Sequence, residues 1–512
     1  MKKVSSIVLI VIAALAVLIA VGVAAARLIG DNNEESLPQG DVSQTVMSTT
    51  APTTTAPVTT EPETTAPITI KQTEKKTTES TTAATTAPKN TDKDGEESLD
   101  FTLIDILPLS LASGSWDVKH CQGMAIDTYK GYVYYSYTNS FVKCDLEGNV
   151  IGTITGIKGH LGDICYNKED GRVYASYNPS GKKALYTAII DVDNLNGINL
   201  DALECNLIRT VHLKEVWKDY STNVTFTETQ MVEVSSANSI DTVEKVVSEK
   251  IYKRKYGVTG TDAVTFGPSF STGKGNYFTV SCGVTPNTER TDNDYQILIQ
   301  YDVNGWWDTW AKPLSFDSFH HSGPEGHNGK YFIYTGSTTY GVQTMTYFRE
   351  MNLWILNVYT TKKTGFVNYN MFIVDGDVQP RREYLIGQPK DDEQYVLSLY
   401  QDGEYDKKTG IYGWHVSKGN KGIEYISDGL FYIIHPFKTW YKTQTAVAYL
   451  YVWDASGEEP FTLAAGIGNN YEIGEKKPYI PPPTTTRPTT TAAPTTTAKP
   501  AINIEDIFSI FS

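Results

Sequence analysis

QGMAI (Gln122–Ile126) begins a pattern that returns four more times along the chain. In each copy a carboxylate or its amide comes first, and a buriable residue follows two positions later. The other copies are DICYN (Asp163–Asn167), DAVTF (Asp262–Phe266), QTMTY (Gln343–Tyr347) and EYISD (Glu424–Asp428). Short runs rich in β-branched and aromatic residues, separated by turn residues, follow each copy. The repeat therefore predicts an all-β, five-bladed β-propeller in which each copy is the innermost strand of one blade.

The first copy shows the whole blade. It is followed by YVYYSYT (Tyr132–Thr138), by SFVKCDL (Ser140–Leu146) and, after a turn, by VIGTITG (Val150–Gly156). Four strands in about 35 residues with tight turns are what a propeller blade needs. By the same pattern, we expect the third blade to close near Lys312 and the fourth with REYLIG (Arg382–Gly387).

Between the copies the chain is longer than the blades require. Successive first residues are 41, 99, 81 and 81 positions apart, whereas a bare blade takes about 40 residues. The longer intervals therefore carry insertions, which often build the binding face of a scaffold. In the longest one, apolar residues at positions 243, 246, 247 and 251 are spaced as on one face of a helix, and a basic cluster follows at 250–255.

The stretch QGMAID…YVYYSYTNSFVKCDLEGNVIGTITG is similar to surface propellers of anaerobic Firmicutes that have no assigned activity. Over about residues 116–465, the strand order and turn spacing resemble β-propellers of the NHL or SMP-30 type. The resemblance is one of pattern, without a shared diagnostic motif. It implies a fold and a location, and no particular reaction.

Composition divides the rest of the chain. We predict a signal anchor or transmembrane helix (1–27), a disordered Thr/Pro-rich stalk (28–98), the propeller (99–475), a second Thr/Pro-rich linker (476–500) and a short amphipathic tail (501–512). The uncharged run Ile7–Ala26 is long enough to cross the hydrocarbon core, and the lysines before it should stay in the cytoplasm. The stalk and propeller would then be extracellular. Cleavage after Ala24–Ala26, which would release a secreted protein, is the alternative.

The two low-complexity tracts cannot bury enough apolar area to offset chain entropy, and we expect them to be disordered spacers. Their dense threonine also suits O-glycosylation. In the tail, apolar residues at 504, 507, 508 and 511 are spaced as on a helix face, so residues 502–512 are either a docking helix for a partner or a disordered end.

Charge and cysteine content exclude some functions. The net charge of −15 argues against nucleic acid as a partner, which requires a basic footprint. The five cysteines include no CxxC pair, which favours neither a disulfide framework nor a zinc site.

In a propeller the first residues of the five copies converge on the central axis. Three carboxylates brought together repel one another, so a cation or a raised pKa must compensate for their charges. Hard oxygen ligands favour Ca²⁺. The sequence thus predicts a metal site, with a water-filled polar channel as the alternative. The predicted ligands are Gln122, Asp163, Asp262, Gln343 and Glu424.

Histidines precede several of these residues. His120 and His160 lie just before the first two copies, and His320, His321 and His327 occur in HHSGPEGH before the fourth. They are candidates for a substrate-binding face, as general bases or transition-metal ligands, or they are hydrogen-bonded structural residues.

The carboxylates also resemble those of five-bladed propeller glycosidases, which carry a base, an acid and a residue that tunes the acid. In that family the first blade holds an aspartate, and here the position is Gln122. The candidate catalytic residues are His160, Asp262 and Glu424. Tryptophans at 306, 307, 310, 414 and 440 either stack on sugars or pack between blades.

From the sequence we therefore expect a membrane-anchored extracellular propeller that holds a divalent cation and serves as a surface binding or structural protein. Its ligand would be an extracellular glycan or a protein. The alternative function is a metal-assisted hydrolase or lyase that acts on extracellular glycan.

Overall fold

The structure, a computed structural model, describes residues 107–181, 183–235, 240–388, 392–438, 443–455, 459–465 and 473–481. The predicted membrane anchor, the stalk, most of the second linker and the tail lie outside these residues. Within the described part of the chain, no helix is long and apolar enough to span a membrane.

Strands dominate the described residues. In chain order they are β1 (Ser110–Trp116), β2 (Cys121–Asp127), β3 (Tyr132–Tyr137), β4 (Ser140–Asp145), β5 (Val150–Thr155), β6 (Gly159–Asn167), β7 (Arg172–Pro179), β8 (Tyr186–Ile190), β9 (Leu200–Asp201), β10 (Ile208–His212), β11 (Val224–Ser235), β12 (Ile240–Tyr252), β13 (Val258–Gly267), β14 (Tyr277–Val284), β15 (Tyr295–Tyr301), β16 (Lys312–Pro313), β17 (Gly329–Tyr334), β18 (Thr338–Phe348), β19 (Leu353–Thr360), β20 (Met371–Asp375), β21 (Arg381–Tyr384), β22 (Glu393–Val396), β23 (Glu404–Asp406), β24 (Ile411–Gly413), β25 (Ile423–Tyr425), β26 (Leu430–Lys438), β27 (Gln444–Trp453) and β28 (Phe461–Leu463). Two short helices, α1 (Lys214–Ser221) and α2 (Trp306–Thr309), and a 3₁₀ turn (Lys255–Gly257) complete the described elements.

The sheets form the five predicted blades. Blade 1 is β2-β3-β4-β5 with β9 at its edge, blade 2 is β6-β7-β8-β10 with β16, and blade 3 is β13-β14-β15-β17 with β22 and β21. Blade 4 is β18-β19-β20, and blade 5 is β25-β26-β27 with β1 and β28. The innermost strands β2, β6, β13, β18 and β25 contact one another in this order, and β25 contacts β2, which closes the ring.

Five apolar clusters hold the blades together, one between each pair of successive blades. Each sheet is thus covered on both faces, and its middle strands are buried almost without interruption. Strand β3, for example, has the sequence YVYYSY, and five of its six residues are buried. Tyrosine suits such strands because its ring packs on a pleated surface.

The two ends of the propeller domain close the ring together. Strand β1 pairs with β27 through residues 110–116, and β28 pairs with the other half of β27. The sequence pattern missed β1. Because one blade contains strands from both ends of the domain, opening the ring requires breaking hydrogen bonds that are far apart in sequence.

Blades 1 and 2 share the same turn between their first two strands. The side chains of Asp127 and Asn167 each accept a hydrogen bond from the backbone N–H two residues later, at 3.0 and 3.2 Å. Gly131 and Gly171 end the two turns with φ of +71° and +70°, a conformation that favours glycine. The local chemistry therefore repeats along with the strand pattern.

Three details of the sequence prediction are wrong. Lys312 lies on β16, which pairs with β10 of blade 2, and blade 3 continues instead with β17. The REYLIG segment does not close blade 4, because β21 pairs with β22 at the edge of blade 3. The segment predicted as a helix forms the two-stranded hairpin β11–β12, in which Val247 is the extra residue of a β-bulge.

Ser113 of β1 is expected to stabilise the ring closure. Its hydroxyl oxygen lies 2.6 Å from the Tyr137 hydroxyl of blade 1 and accepts a hydrogen bond from the Ala446 N–H of blade 5 at 3.0 Å. Ser113→Ala should lower the free energy of unfolding by roughly 2 kcal/mol, because two buried polar groups lose their partner. Ser115→Ala, which removes an exposed hydrogen bond to Thr445, should change it by less than about 0.5 kcal/mol. Urea denaturation measures both, and equal effects would contradict the assignment.

Candidate functional site

The polar residue of each repeat lies at an irregularity of its strand. In the first four blades the pairing of the inner strand with its neighbour shifts at this residue, as at a β-bulge. A bulge rotates the local backbone and changes the direction of a side chain. In blade 5, Gly422 with φ of +147° precedes the polar residue instead. The bulge that the first four blades share explains why their polar positions recur together in the sequence.

The inner strands approach each other closely around the axis. A side chain at Gly123 would collide with Asp163, whose Cα atom would lie 2.9 Å from its Cβ. A Cβ at Gly162 would lie 3.2 Å from the carbonyl of Asp262 in blade 3, and one at Gly341 would collide with the carbonyl of Cys282 in blade 3. Glycine at these positions lets neighbouring blades meet at the centre.

The Asp163 carboxylate connects three blades. It belongs to blade 2, and its Oδ2 atom accepts hydrogen bonds from the backbone N–H groups of Val264 in blade 3 (3.3 Å) and Met345 in blade 4 (3.1 Å). The side chain is buried. Burial raises the pKa of Asp163 well above its usual range, although these backbone donors act in the opposite direction. The charge of Glu424 adds to the increase, so these two predicted ring residues do lie near each other.

Glu424 makes the corresponding link between blades 5 and 1. Its carboxylate accepts a hydrogen bond from the backbone N–H of Ile126. The residue retains some accessible surface, but burial by the surrounding strands raises the pKa of Glu424 to about 8. At neutral pH this side chain therefore carries a proton in most molecules.

The other three ring residues are partly exposed. Gln122 donates a hydrogen bond to the Thr138 hydroxyl at 2.8 Å, and Gln343 donates one to the carbonyl of Gly341 at 3.4 Å. Asp262 faces Gly283, where an added Cβ would lie 2.6 Å from its Oδ2 atom. Each amide thus bonds within its own blade.

The structure gives no direct support for the predicted calcium site. Within the described residues, no group of three or more histidine, cysteine, aspartate or glutamate side chains is arranged to hold a metal ion. The Asp163 oxygen that points between blades 3 and 4 already accepts two backbone hydrogen bonds. The axial cation therefore stays a prediction, and its test is given at the end of this subsection.

Four of the five predicted histidines lie at one end of the propeller but are divided between its centre and its rim, and His327 lies in a pocket of blade 3 that is described below. We call the end at which the inner strands begin the upper face. His120 and His160 lie there, beside the axis, at the starts of β2 and β6. His321 packs against His212, the last residue of β10, and His320 packs against Tyr186 beside it. Strand β10 reaches the upper face three strands further out than β6. That separation is about 14 Å at 4.8 Å per strand.

At the rim, His212 and His321 form a pair. The buried His212 donates its Nδ1 proton to the carbonyl of Leu185 (3.0 Å), which leaves Nε2 as an acceptor 3.3 Å from Nδ1 of His321. Burial and the neighbouring His321 lower the pKa of His212 to about 4, so it is neutral at pH 7. Gly323 packs tightly against the backbone of His212, because an added Cβ there would collide with the His212 carbonyl. The HHSG segment thus packs as a structural turn over blade 2.

Three cavities of the described chain have volumes of about 640, 480 and 440 Å³. No ring residue lines any of them. The largest, which we call the blade-3 pocket, lies between α1 and the outer strand β17. Its lining includes Glu215 and Asp219 of α1, Lys255, Tyr256, His327, Asn328, Lys330, Tyr331, Gln394 and Tyr395.

Ion pairs hold the polar groups of the blade-3 pocket in place. The Lys330 ammonium lies 2.8 Å from Glu215 Oε1 and 2.6 Å from Asp219 Oδ2. Burial opposes the charge of Lys330, but the two carboxylates outweigh it and raise the pKa of Lys330 above its ordinary value. Beside it, the Gln394 amide and the Tyr256 hydroxyl both donate to Asp392 Oδ1, at 2.7 and 3.0 Å.

An aromatic ring lies at the mouth of the same pocket. The side chain of Tyr395 is 47% exposed, and arginine and tyrosine side chains flank its ring. By contrast, Trp306 and Trp414 are buried and pack in the core, and Trp307 lies between the guanidinium groups of Arg172 and Arg209. Trp440 lies outside the described residues.

Sequence reasoning missed the blade-3 pocket. Two signals pointed to it: the acids of KEVWKDYS are four residues apart, as on one helix face, and the segment from His327 to Lys330 ends the histidine-rich stretch. What the sequence did not show is that β22, which begins 63 residues after Lys330, returns to blade 3 in parallel to β17 and completes the wall.

Comparisons with known proteins add the following. No family model and no curated protein match the chain. One similar solved structure, described as "Structure of Dos1 propeller", is 12% identical, with a TM-score of 0.26 over 67% of this chain and 69% of its own. A second, a protein of unknown function from Bacteroides caccae, is 10% identical, with a TM-score of 0.22 over 54% of this chain and 81% of its own. At these TM-scores neither structure informs the assignment of the site.

The contacts of Asp163 predict its mutational behaviour. Asp163→Ala should lower the free energy of unfolding by roughly 3 kcal/mol, because two buried N–H groups lose their acceptor. Asp163→Asn keeps an oxygen at the same place and should stay within about 1 kcal/mol of the unmodified protein. Chemical denaturation at pH 7 distinguishes the two variants. Equal destabilisation by both would show that the charge of Asp163 matters, rather than its acceptor oxygen.

The raised pKa of Glu424 predicts that the free energy of unfolding depends on pH. Its pKa is higher in the folded than in the unfolded chain, so its contribution to stability is present below about pH 4.5 and is lost as the pH rises towards 8. Glu424→Gln keeps an acceptor for Ile126 but cannot ionise. In calcium-free buffer it should raise the free energy of unfolding at pH 8 by about 2 kcal/mol, after allowance for screening by water, and by little at pH 5.

The same pair of proteins tests the predicted calcium site. If the ring binds Ca²⁺, calcium added after chelation should raise the melting temperature of the unmodified protein and have much less effect on Glu424→Gln. No bound metal and no shift in melting temperature would reject the site.

Proposed function

We propose that this chain is a surface binding protein whose propeller takes a saccharide or a similarly polar ligand in the blade-3 pocket. Residues 1–27 would anchor it in the membrane, or direct its secretion if they are cleaved, and residues 28–98 would hold the propeller away from the surface. The observation that carries the proposal is a cavity of about 640 Å³ whose polar groups are already oriented by one another.

The size and lining of the pocket favour a small polar ligand. Small-molecule sites typically have volumes of about 300–1,000 Å³ and contain a few fixed polar groups. Here amides, an ammonium and carboxylates supply both donors and acceptors, and Tyr395 supplies a half-exposed aromatic ring. Alternating hydroxyl groups and C–H faces of a saccharide would match both kinds of surface.

Preorganisation is the second support for the proposal. Lys330, Gln394 and Tyr256 are each held by a carboxylate before any ligand arrives. A ligand therefore does not have to immobilise these side chains, which reduces the entropic cost of binding. Lys330 also retains one proton for a ligand, because an ammonium has three and its two carboxylates take two.

The alternative, a metal-assisted hydrolase or lyase at the axis, has less support. It would use His160, Asp262 and Glu424, and it needs carboxylates that are free to act on a metal ion or a substrate. The carboxylates of Asp163 and Glu424 instead bind backbone groups of other blades. An enzyme also requires an open site above its catalytic groups, and the three cavities lie elsewhere.

A glycan-array screen tests the proposal. Tyr395→Ala should weaken the binding of every saccharide retained by the unmodified chain by about tenfold, or about 1.4 kcal/mol, because it removes the ring platform. Tyr129→Ala removes a tyrosine that is 95% exposed and distant in sequence, and it should leave binding unchanged.

Three results would contradict the proposal: no saccharide bound, equal loss in both variants, or loss in neither. Release of new reducing ends from a bound glycan, abolished by Asp262→Asn, would support the enzymatic alternative instead.

A further inference from the structure

Residues 473–481, the last described segment, bind along the outer side of blade 4. Lys476 pairs with Asp375 at 2.6 Å and with Asp377 at 2.7 Å. The backbone N–H of Lys477 donates to the Tyr400 hydroxyl at 2.8 Å, and the Lys477 ammonium contacts Asp402. The predicted end of the propeller at Glu475 therefore falls inside a docked segment.

Towards its end, the segment is bound through its main chain as well as through its side chains. The Gln401 side chain donates to the carbonyl of Ile480 and accepts from its N–H, both at 2.7 Å. One amide thus satisfies both backbone groups of one residue, as a neighbouring strand would. Arg381 donates to the Tyr479 hydroxyl at 2.8 Å. The contacts to Ile480 depend on an extended backbone and not on its side chain.

A tyrosine-lined groove continues from the point where this segment ends. It has a volume of about 440 Å³, and its lining includes Tyr334, Tyr405, Tyr412 and Pro481. Tyr405 and Tyr412 face each other across the small hairpin β23–β24, with ring centroids 4.4 Å apart. Tyr405 is nevertheless 45% exposed. The groove thus presents stacked aromatic rings beside the last described proline.

The next residues have the composition that such a groove recognises. Pro481 is followed by Pro482, Pro483 and three threonines. Consecutive prolines favour the polyproline II helix, which loses little entropy on binding and docks in aromatic-lined grooves. At 3.1 Å per residue, the five residues 482–486 would extend about 15 Å.

We propose that the tyrosine-lined groove is the docking site of Pro482–Thr486 of the same chain, bound as a polyproline II helix. The clamp on Ile480 holds the chain at the mouth of the groove, two residues before Pro482. Because the occupant is tethered, its effective concentration is high, and modest contacts are sufficient for docking. Docking sets the point from which the second Thr/Pro tract and the tail leave the propeller.

A spin label tests this docking in the full chain. A nitroxide is attached through Thr485→Cys, with Cys205→Ser as background because the other four cysteines are buried. A label held in the groove gives a slow component, on the order of nanoseconds, in its electron paramagnetic resonance spectrum. Tyr405→Ala should remove this component, Tyr129→Ala should preserve it, and a label at Thr496→Cys should be mobile in every variant.

A second measurement does not depend on a groove mutation. Excess synthetic peptide with the sequence of residues 482–490 should displace the tethered segment and mobilise the label in the otherwise unmodified chain. A mobile label at position 485 from the start would overturn the proposal, as would a slow component that survives Tyr405→Ala and the peptide. A slow component that appears only at high protein concentration would assign the groove to a second copy and would also overturn it.

Discussion

The carboxylate of Asp163 is the contact on which the centre of the propeller depends. Hydrogen bonds between β-strands stay within each blade, so the five inner strands meet at the axis without a shared ladder. Asp163 supplies part of the missing connection between the blades. One oxygen of its carboxylate, in blade 2, accepts hydrogen bonds from backbone N–H groups of blades 3 and 4. Blades 2 and 4 are not neighbours, so this bond reaches across the axis. Glu424 and Ile126 join blades 5 and 1 in a similar way.

This arrangement explains two features of the inner strands together. At Asp163 the bulge turns the side chain from its own sheet towards the backbones of blades 3 and 4. Glycine beside it removes the Cβ that would keep the blades apart, as at Gly123 opposite Asp163. The acids are then buried, and their pKa values rise because water no longer solvates the charge. A raised pKa is often a sign of catalysis, but these two carboxylates accept hydrogen bonds from the backbones of other blades.

Sequence reasoning was sufficient for the blade count, because the count follows from a repeat with a fixed chemical order. It failed where pairing is decided by distant partners. Nothing near Lys312 indicates that it borders blade 2, and nothing near Arg381 indicates blade 3. The hairpin was mistaken for a helix for a local reason. The bulge at Val247 interrupts the two-residue alternation of β12, and the valines on either side then match helical spacing.

The axis and the blade-3 pocket differ in the same way, because the axis follows from the repeat and the pocket depends on segments that are distant in sequence. The axis is built from equivalent positions of every blade, so its chemistry is constrained by the closure of the ring. The pocket is built from α1, the turn at Lys255–Gly257 and β22, none of which has a counterpart in the repeat. These insertions can vary without disturbing the inner strands, provided that β17 keeps its place in blade 3. A binding function is therefore compatible with this propeller at its insertions, while two of the five residues that the repeat makes conspicuous, Asp163 and Glu424, join one blade to another.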